Sequence, residues 1–251
     1  MVQCLECGYL YVNPRPGIHD RNEATERGVY AAGFGLDISE KYVAKKVNAY
    51  RRSLRTLFSD VWAAGLPISW LDVGAGYGEL VEALSMVAPP NSRIVGLEPM
   101  KPKYESARVR GLNMIAGYID EKTPTFQYAS AINIFSHIYD FDDFLQKIRG
   151  VLETSGEFFL ETGDMSDVKR REQFTGELGL PDHVAFASRR HVRGFLERNG
   201  FAVLSEQLVR IDDWLFTTKA IAKRLLGRNT IVAKPYSSPY RSLRVRAKKL
   251  G

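Results

Sequence analysis

The sequence predicts an α/β protein built on an open, mostly parallel sheet with helices on both faces. Three observations carry that prediction. From Ile68 onward, short β-rich runs alternate with helical stretches, the pattern of βαβ units. A glycine cluster, Gly74, Gly76 and Gly78 in SWLDVGAGYGELVEAL, lies between the first such run and the first helix. An acidic residue, Glu98, ends the next run, about twenty residues beyond the loop.

Taken in order, the chain opens on a cysteine- and proline-bearing lead, assigned to residues 1–39. Glu40 to Ala64 reads as one helix, with apolar residues at Tyr42, Val43, Val47, Tyr50, Leu54, Leu57 and Val61. The main domain, 40–235, then alternates. WLDVG is a strand, Glu79 to Val87 a helix, RIVGLE a strand, Lys101 to Arg110 a helix and NMIAG a strand. AINIFS follows as a strand, Phe141 to Leu152 as a helix, EFFLET as a strand, Ser188 to Asn199 as a helix and FAVLSEQLV as a strand. TIVAK, Thr230 to Lys234, supplies one more. Two segments interrupt the alternation. Gly163 to Ala187 is a polar connection of the kind that grips ligands beyond the strand ends. Ile211 to Leu226 is an amphipathic helix, read as a crossover packed on the sheet in preference to a substrate lid or a membrane-surface element. Residues 236–251 read as a basic C-terminal tail.

Composition bounds the function classes. The 251 residues are 45% hydrophobic and 25% charged, which suits one soluble globular core. No apolar run approaches the ~18 residues of a membrane span, and the N-terminus lacks the pattern of a signal peptide, so a cytoplasmic protein is expected. The net charge of +6 is concentrated in Arg241, Arg244, Arg246, Lys248 and Lys249. A solvated end explains these cations without a nucleic-acid partner. Cys4 and Cys7 are the two cysteines of the chain and offer no disulfide framework.

The glycine loop places backbone N–H groups at the positive end of a helix, above the carboxyl edge of the sheet. Its spacing is GxGxG rather than the GxGxxG of dinucleotide binding, and Glu79 stands where a pyrophosphate would meet like charge. A ligand with a cationic centre suits it better. Glu98 can accept hydrogen bonds from two ribose hydroxyls, Pro99 and Met100 can lie against an adenine, and Asp72 can attract an ammonium group. Together they describe S-adenosyl-L-methionine.

At this point the sequence resembles the class I S-adenosylmethionine-dependent methyltransferases. LDVGAGYGEL looks like their first motif and GLEPM like their second-strand acidic motif. Phe126 to Glu161 resembles their fourth strand, helix and fifth strand, and Pro181 to Phe201 is similar to a segment of the subgroup that methylates sugars and other polysaccharide or secondary-metabolite precursors. The likeness runs from about Ile68 to Leu208. Gln127 stands where the family has Asp, and Ser136 where it has the Glu of an EH pair.

The resemblance implies a Rossmann-like fold with a seven-stranded, mostly parallel sheet. It implies a loop of Gly74, Ala75, Gly76 and Gly78 around the cofactor, Tyr118 and Ile119 at the adenine edge, and Asn133 and Ile134 bordering the cofactor from the fourth strand. The acceptor would be a small molecule or glycan methylated at a hydroxyl or an amine. For a hydroxyl, His137 is the first candidate base and His183 the second. An RNA methyltransferase and a catalytically silent cofactor-binding scaffold are the alternatives. CLECGYLYVNPRP resembles the second half of a zinc ribbon. A closed site needs four ligands, so no metal is expected unless the pair Cys4 and Cys7 is completed, with His19 the one further ligand considered.

Overall fold

The protein is described by a computed structural model at residues 2–15, 17–27, 42–164, 183–210, 214–228 and 241–251. The lead contributes β1 (Val2–Gln3), β2 (Leu10–Tyr11) and α1 (Ile18–Arg27). There follow α2 (Ala44–Leu57), α3 (Ser59–Ala64), β3 (Ser69–Val73), α4 (Glu79–Val87), β4 (Arg93–Glu98), α5 (Lys101–Val109) and β5 (Met114–Ala116). The second half holds β6 (Phe126–Ile132), α6 (Phe141–Val151), β7 (Leu152–Gly163), β8 (Ala185–Phe186), α7 (Arg189–Arg198), β9 (Phe201–Arg210), α8 (Trp214–Leu225) and β10 (Arg241–Lys249).

Seven strands make the main sheet in the order β5-β4-β3-β6-β7-β10-β9. β5 to β7 run parallel, and β10 lies antiparallel between β7 and β9. The order reverses at β3, between β4 and β6, so the crevice for a ligand opens at the carboxyl ends of these three strands. Alternate residues feed two cores. Leu71, Val95, Phe158 and Leu160 pack with Leu145 and Ile148 of α6 and Val192 of α7, while Trp70, Ile94 and Phe159 pack with Leu80 and Leu84 of α4 and Leu54 of α2. That two-sided burial is the mixed α/β, Rossmann-like architecture the sequence predicts.

Four expectations are corrected. The single helix over Glu40 to Ala64 is two, α2 and α3, because the chain breaks at Phe58 (φ −123°). The break lets the Phe58 ring, 1% exposed, pack edge-on against Trp70 and Phe159. AINIFS is half strand and half turn. β6 ends at Ile132, Asn133 takes φ +56°, and Phe135–His137 form a short 3₁₀ turn. The strand expected at EFFLET starts earlier, at Leu152, where α6 runs directly into β7.

The fourth correction concerns the basic tail. Residues 241–249 are not a solvated end but a strand inside the sheet. Leu243, Val245 and Ala247 are fully buried on one face, and the intervening cations are paired on the other. Arg244 Nε donates to Glu161 Oε2 at 2.7 Å, and Arg246 donates to both carboxylate oxygens of Asp60 at 2.7 Å and to Glu157. Arg246 also covers the Phe58 ring at 4.6 Å. The alternation S-L-R-V-R-A-K is the period of a strand, and the charges mask it. TIVAK lies outside the described residues, as does most of the connection after β7.

Arg246→Ala is expected to cost about 2–3 kcal/mol, because Glu157 is left partly buried without its partner while the mostly exposed Asp60 adds little. Urea unfolding measures this. A change below about 0.5 kcal/mol would contradict the pairing as a structural tie.

Candidate cofactor and acceptor site

β3 carries Asp72 to the carboxyl edge, where it is 2% exposed. Ser130 Oγ of the neighbouring β6 donates to Asp72 Oδ1 at 2.7 Å, and Trp70 Nε1 donates to Ser130 Oγ at 2.9 Å. Burial pushes the Asp72 carboxyl up to about 7. The Ser130 bond opposes that rise, and the nearby carboxylates of Glu98 and Glu79 add to it.

The glycine loop is fastened to the end of β4 by Gly74 N and Ala75 N, which donate to Leu97 O at 2.8 and 3.0 Å. Gly74 has φ +70°, and a Cβ there would come within 2.6 Å of Ile134 Cγ2. Gly76 differs. Its φ is +56°, yet a Cβ would meet nothing within 4 Å, so this turn of the loop borders open space.

Glu98, 5% exposed, closes the other side of the crevice. Gly76 N donates to its Oε2 at 2.7 Å and Met100 N to its Oε1 at 2.8 Å, so one carboxylate ties the loop to the start of α5. Burial raises its pKa, against the pull of those two bonds and of Lys103 and His137. Each oxygen retains a further lone pair for a hydroxyl. Met100 is 5% exposed and Pro99 half-buried beside it. Gly117 N donates to Glu98 O at 3.1 Å, which sets Tyr118 and Ile119 next to the end of β4. Tyr118 is 44% exposed, and Ile119 packs on the core. Asn133 N donates to Glu161 O at 2.8 Å, and its turn delivers Ile134 to Gly74. The residues assigned to a cofactor from sequence thus converge on one edge.

Glu79 does not face that edge as a bare carboxylate. Val43 N donates to its Oε1 at 3.2 Å, and it is 7% exposed beneath α2. Its negative field still reaches Asp72.

The two candidate bases meet. His137 N donates to Ile134 O at 2.9 Å, and the His137 and His183 rings lie 4.8 Å apart at 72°. The sequence shows four scattered histidines, whereas the fold pairs two of them. Val184 N donates to Ser136 O at 2.7 Å, Val12 N donates to Val184 O at 2.9 Å, and β8 pairs with β2. The three-stranded sheet β1-β2-β8 therefore joins the lead to the site. His191 belongs to that join. Its Nδ1 lies 2.9 Å from Ser188 Oγ and its Nε2 lies 2.6 Å from the carbonyl oxygen of Cys7. Cys4 is partly buried and Cys7 exposed, and among the described residues no three His, Cys, Asp or Glu side chains are grouped as metal ligands. The His19 side chain lies outside the described residues.

Sequence reasoning missed Ser130, Tyr50 and Glu161. Burial pushes the Tyr50 phenol upward, helped by the charges of Glu161, Asp72 and Glu79, which places α2 over this edge. Glu161, 7% exposed, accepts from Ser242 Oγ at 3.0 Å as well as from Arg244. Its position near the end of a strand, like that of Asp72 and Glu98, is the signal that marks it. Gln127 is far from this chemistry: Ser69 N donates to its side chain at 3.0 Å where β3 begins.

The buried carboxyl groups of Asp72 and Glu98 beside an open glycine turn suit a ligand that brings positive charge, ribose hydroxyls and an adenine, and disfavour a pyrophosphate. Comparison with known proteins agrees: a model described as a methyltransferase domain matches residues 43–206. The chain belongs to the methyltransferase domain family. Its cofactor is S-adenosyl-L-methionine, which the residues above fit.

An uncharacterized 37.1 kDa protein in transposon TN4556 of Streptomyces fradiae is 25% identical over 169 residues, 64% of this chain and 46% of that protein. The chain thus spans less than half the length of that relative. Coclaurine N-methyltransferase bound to N-methylheliamine and SAH shares the fold at 16% identity and TM-score 0.57, over 79% of this chain and 72% of that one. The [4+2]-cyclase SpnF shares it at 18% identity and TM-score 0.53, over 77% and 81%.

Two outcomes follow for the methyltransferase site. If Asp72 meets the cofactor's ammonium as a carboxylate, cofactor affinity should be full above pH 7 and fall up to about tenfold per unit as pH drops through the value of about 7. Stability of the free protein runs the other way. The folded pKa lies above the ordinary carboxylate value, so this group's contribution is present at low pH and is lost as pH rises to about 7. Asp72→Asn should remove both slopes, raising the melting temperature of the free protein relative to wild type increasingly up to pH 7. Calorimetric titration and thermal melts from pH 5 to 8 check this, and parallel slopes in wild type and variant would contradict it.

Glu98→Gln turns an amide N–H₂ toward one of the two backbone donors. It should weaken cofactor binding by roughly ten- to a hundredfold and cost about 1–3 kcal/mol of stability. Titration and urea unfolding of the variant measure both effects.

Proposed function

We propose that the protein transfers the methyl group of S-adenosylmethionine to a hydroxyl of a small molecule, a sugar, glycan or secondary-metabolite precursor, with an amine as the other acceptor type. The observation that carries this reading is the His137–His183 ring pair, of which His137 lies within electrostatic reach of Glu98. The cofactor supplies an electrophilic methyl group. Asp72 and Glu98 hold and orient it through its ammonium and ribose, and the loop around Gly76 gives its backbone close approach. The acceptor's hydroxyl then needs a position in line and a group to take its proton as the bond forms. His137 is assigned that proton, and His183 packs edge-to-face against it.

The pairing of Arg244 and Arg246 within the sheet speaks against an RNA acceptor, since the cations that would have met phosphates are held by Glu161, Asp60 and Glu157. A second reading, cofactor binding without methyl transfer, is favoured by the likeness to the cyclase SpnF and by Ser136 in the place of the family's Glu.

His137→Ala should lower turnover roughly 10²–10⁴-fold with cofactor affinity within about twofold of wild type. Release of S-adenosylhomocysteine against a panel of sugar, glycan and small hydroxyl or amine acceptors identifies the acceptor and then compares the variants. Cofactor binding with no product across the panel would replace this reading by the second.

A further inference from the structure

The chain leaves the sheet at Arg210, the end of β9, and returns at Arg241, the start of β10. Both points lie at the edge where β3, β4, β6 and β7 end, because β9 runs antiparallel to β10 and so parallel to β7. α8 is set into this excursion, so it springs from the same edge as Asp72 and Glu98.

The expected crossover packing accounts for only part of this helix. Thr217 and Ala220 are buried, whereas Ile221, Leu225 and Leu226 are 43%, 83% and 79% exposed. Ile221 and Leu225 stand four residues apart, as do Ala222 and Leu226, which makes two adjoining apolar stripes on the outside of the helix. Lys219 and Lys223 form the next stripe, and Arg224 and Arg228 are also exposed. Residues 214–228, WLFTTKAIAKRLLGR, contain no acid at all.

The helix ends in a complete cap. Gly227 takes φ +77°, its N–H donates to Arg224 O at 3.0 Å, and Arg228 N donates to Lys223 O at 3.0 Å. The exposed leucines are therefore in a finished last turn. Four cations around an outward leucine stripe complement a surface that is anionic and apolar beneath, and that is the interface of an anionic lipid bilayer. An anionic nucleic acid would use the cations and leave the leucines idle, and a second copy of this chain would bring its own positive charge.

We propose that α8 docks the protein peripherally onto an anionic lipid surface, with Ile221, Leu225 and Leu226 entering the headgroup region and Lys219, Lys223, Arg224 and Arg228 meeting lipid phosphates. No helix among the described residues is long and apolar enough to cross a membrane. Docking brings the edge that carries the cofactor site close to the bilayer. If the proposed methyl transfer holds, the acceptor is presented at that surface.

The test is co-sedimentation of the full chain with vesicles of phosphatidylcholine alone or with phosphatidylglycerol, at low and high salt. Binding is expected to the anionic vesicles only, weakening at high salt. Lys219→Glu with Lys223→Glu should reduce partitioning by at least twenty-fold, as each cation contributes about fivefold. Leu225→Ser with Leu226→Ser should reduce it at least tenfold. Neither pair touches the cofactor site, so melting temperature and cofactor affinity should stay at wild-type values, which keeps this result separate from that of the methyl-transfer assay. Absence of binding to anionic vesicles at low salt would overturn the proposal. So would binding that ignores the leucine pair, the mark of a polyanion surface, or self-association abolished by the leucine pair without vesicle binding.

Discussion

Buried negative charge at the carboxyl edge of the sheet is the constraint on which the rest of the site depends. Asp72 sits in a dry position, held by one hydroxyl, with the carboxylates of Glu98 and Glu79 as its charged neighbours. Such an arrangement is costly without a cation, and burial answers by raising the affinity of Asp72 for a proton. A ligand bearing an ammonium and a sulfonium relieves the strain, and a pyrophosphate would add to it. The same fold that serves dinucleotides elsewhere is thereby committed to another cofactor, by charge more than by the glycine count.

The scaffold keeps that edge in place through two ties remote from it in sequence. The first is β10, whose arginines fasten Glu161, Glu157 and Asp60 across the sheet while its alternate residues fill the core. The second is the lead, which pairs through β2 with β8 and is clamped by His191 to Cys7, bringing His183 against His137. Residues near both ends of the chain thus brace the site, and the lead has a packing role whether or not its thiols meet a metal.

Much of the central architecture was legible because it is local. α4 and β4 fall where the hydrophobic runs and the glycine loop place them, and Asp72, Gly76 and Glu98 follow from their positions at strand ends. What could not be read depends on partners distant in the chain. The strand at 241–249 looks like a charged tail until its arginines find acids some eighty to nearly two hundred positions away. His137 and His183 are forty-six positions apart in sequence, and the bond from Val184 N to Ser136 O, backed by the β2–β8 pairing, joins them. The break at Phe58 is decided by the aromatic cluster of Trp70 and Phe159, which no helical periodicity contains.

If Asp72, the loop around Gly76 and Glu98 together form the cofactor's seat, a crystal structure of the complex with S-adenosylhomocysteine will show ribose oxygens within hydrogen-bond distance of Glu98, the amino group directed toward Asp72, and the ligand's backbone against Gly76. A ligand bound with Glu98 engaged by Gly76 and Met100 alone, its ribose elsewhere, would contradict it.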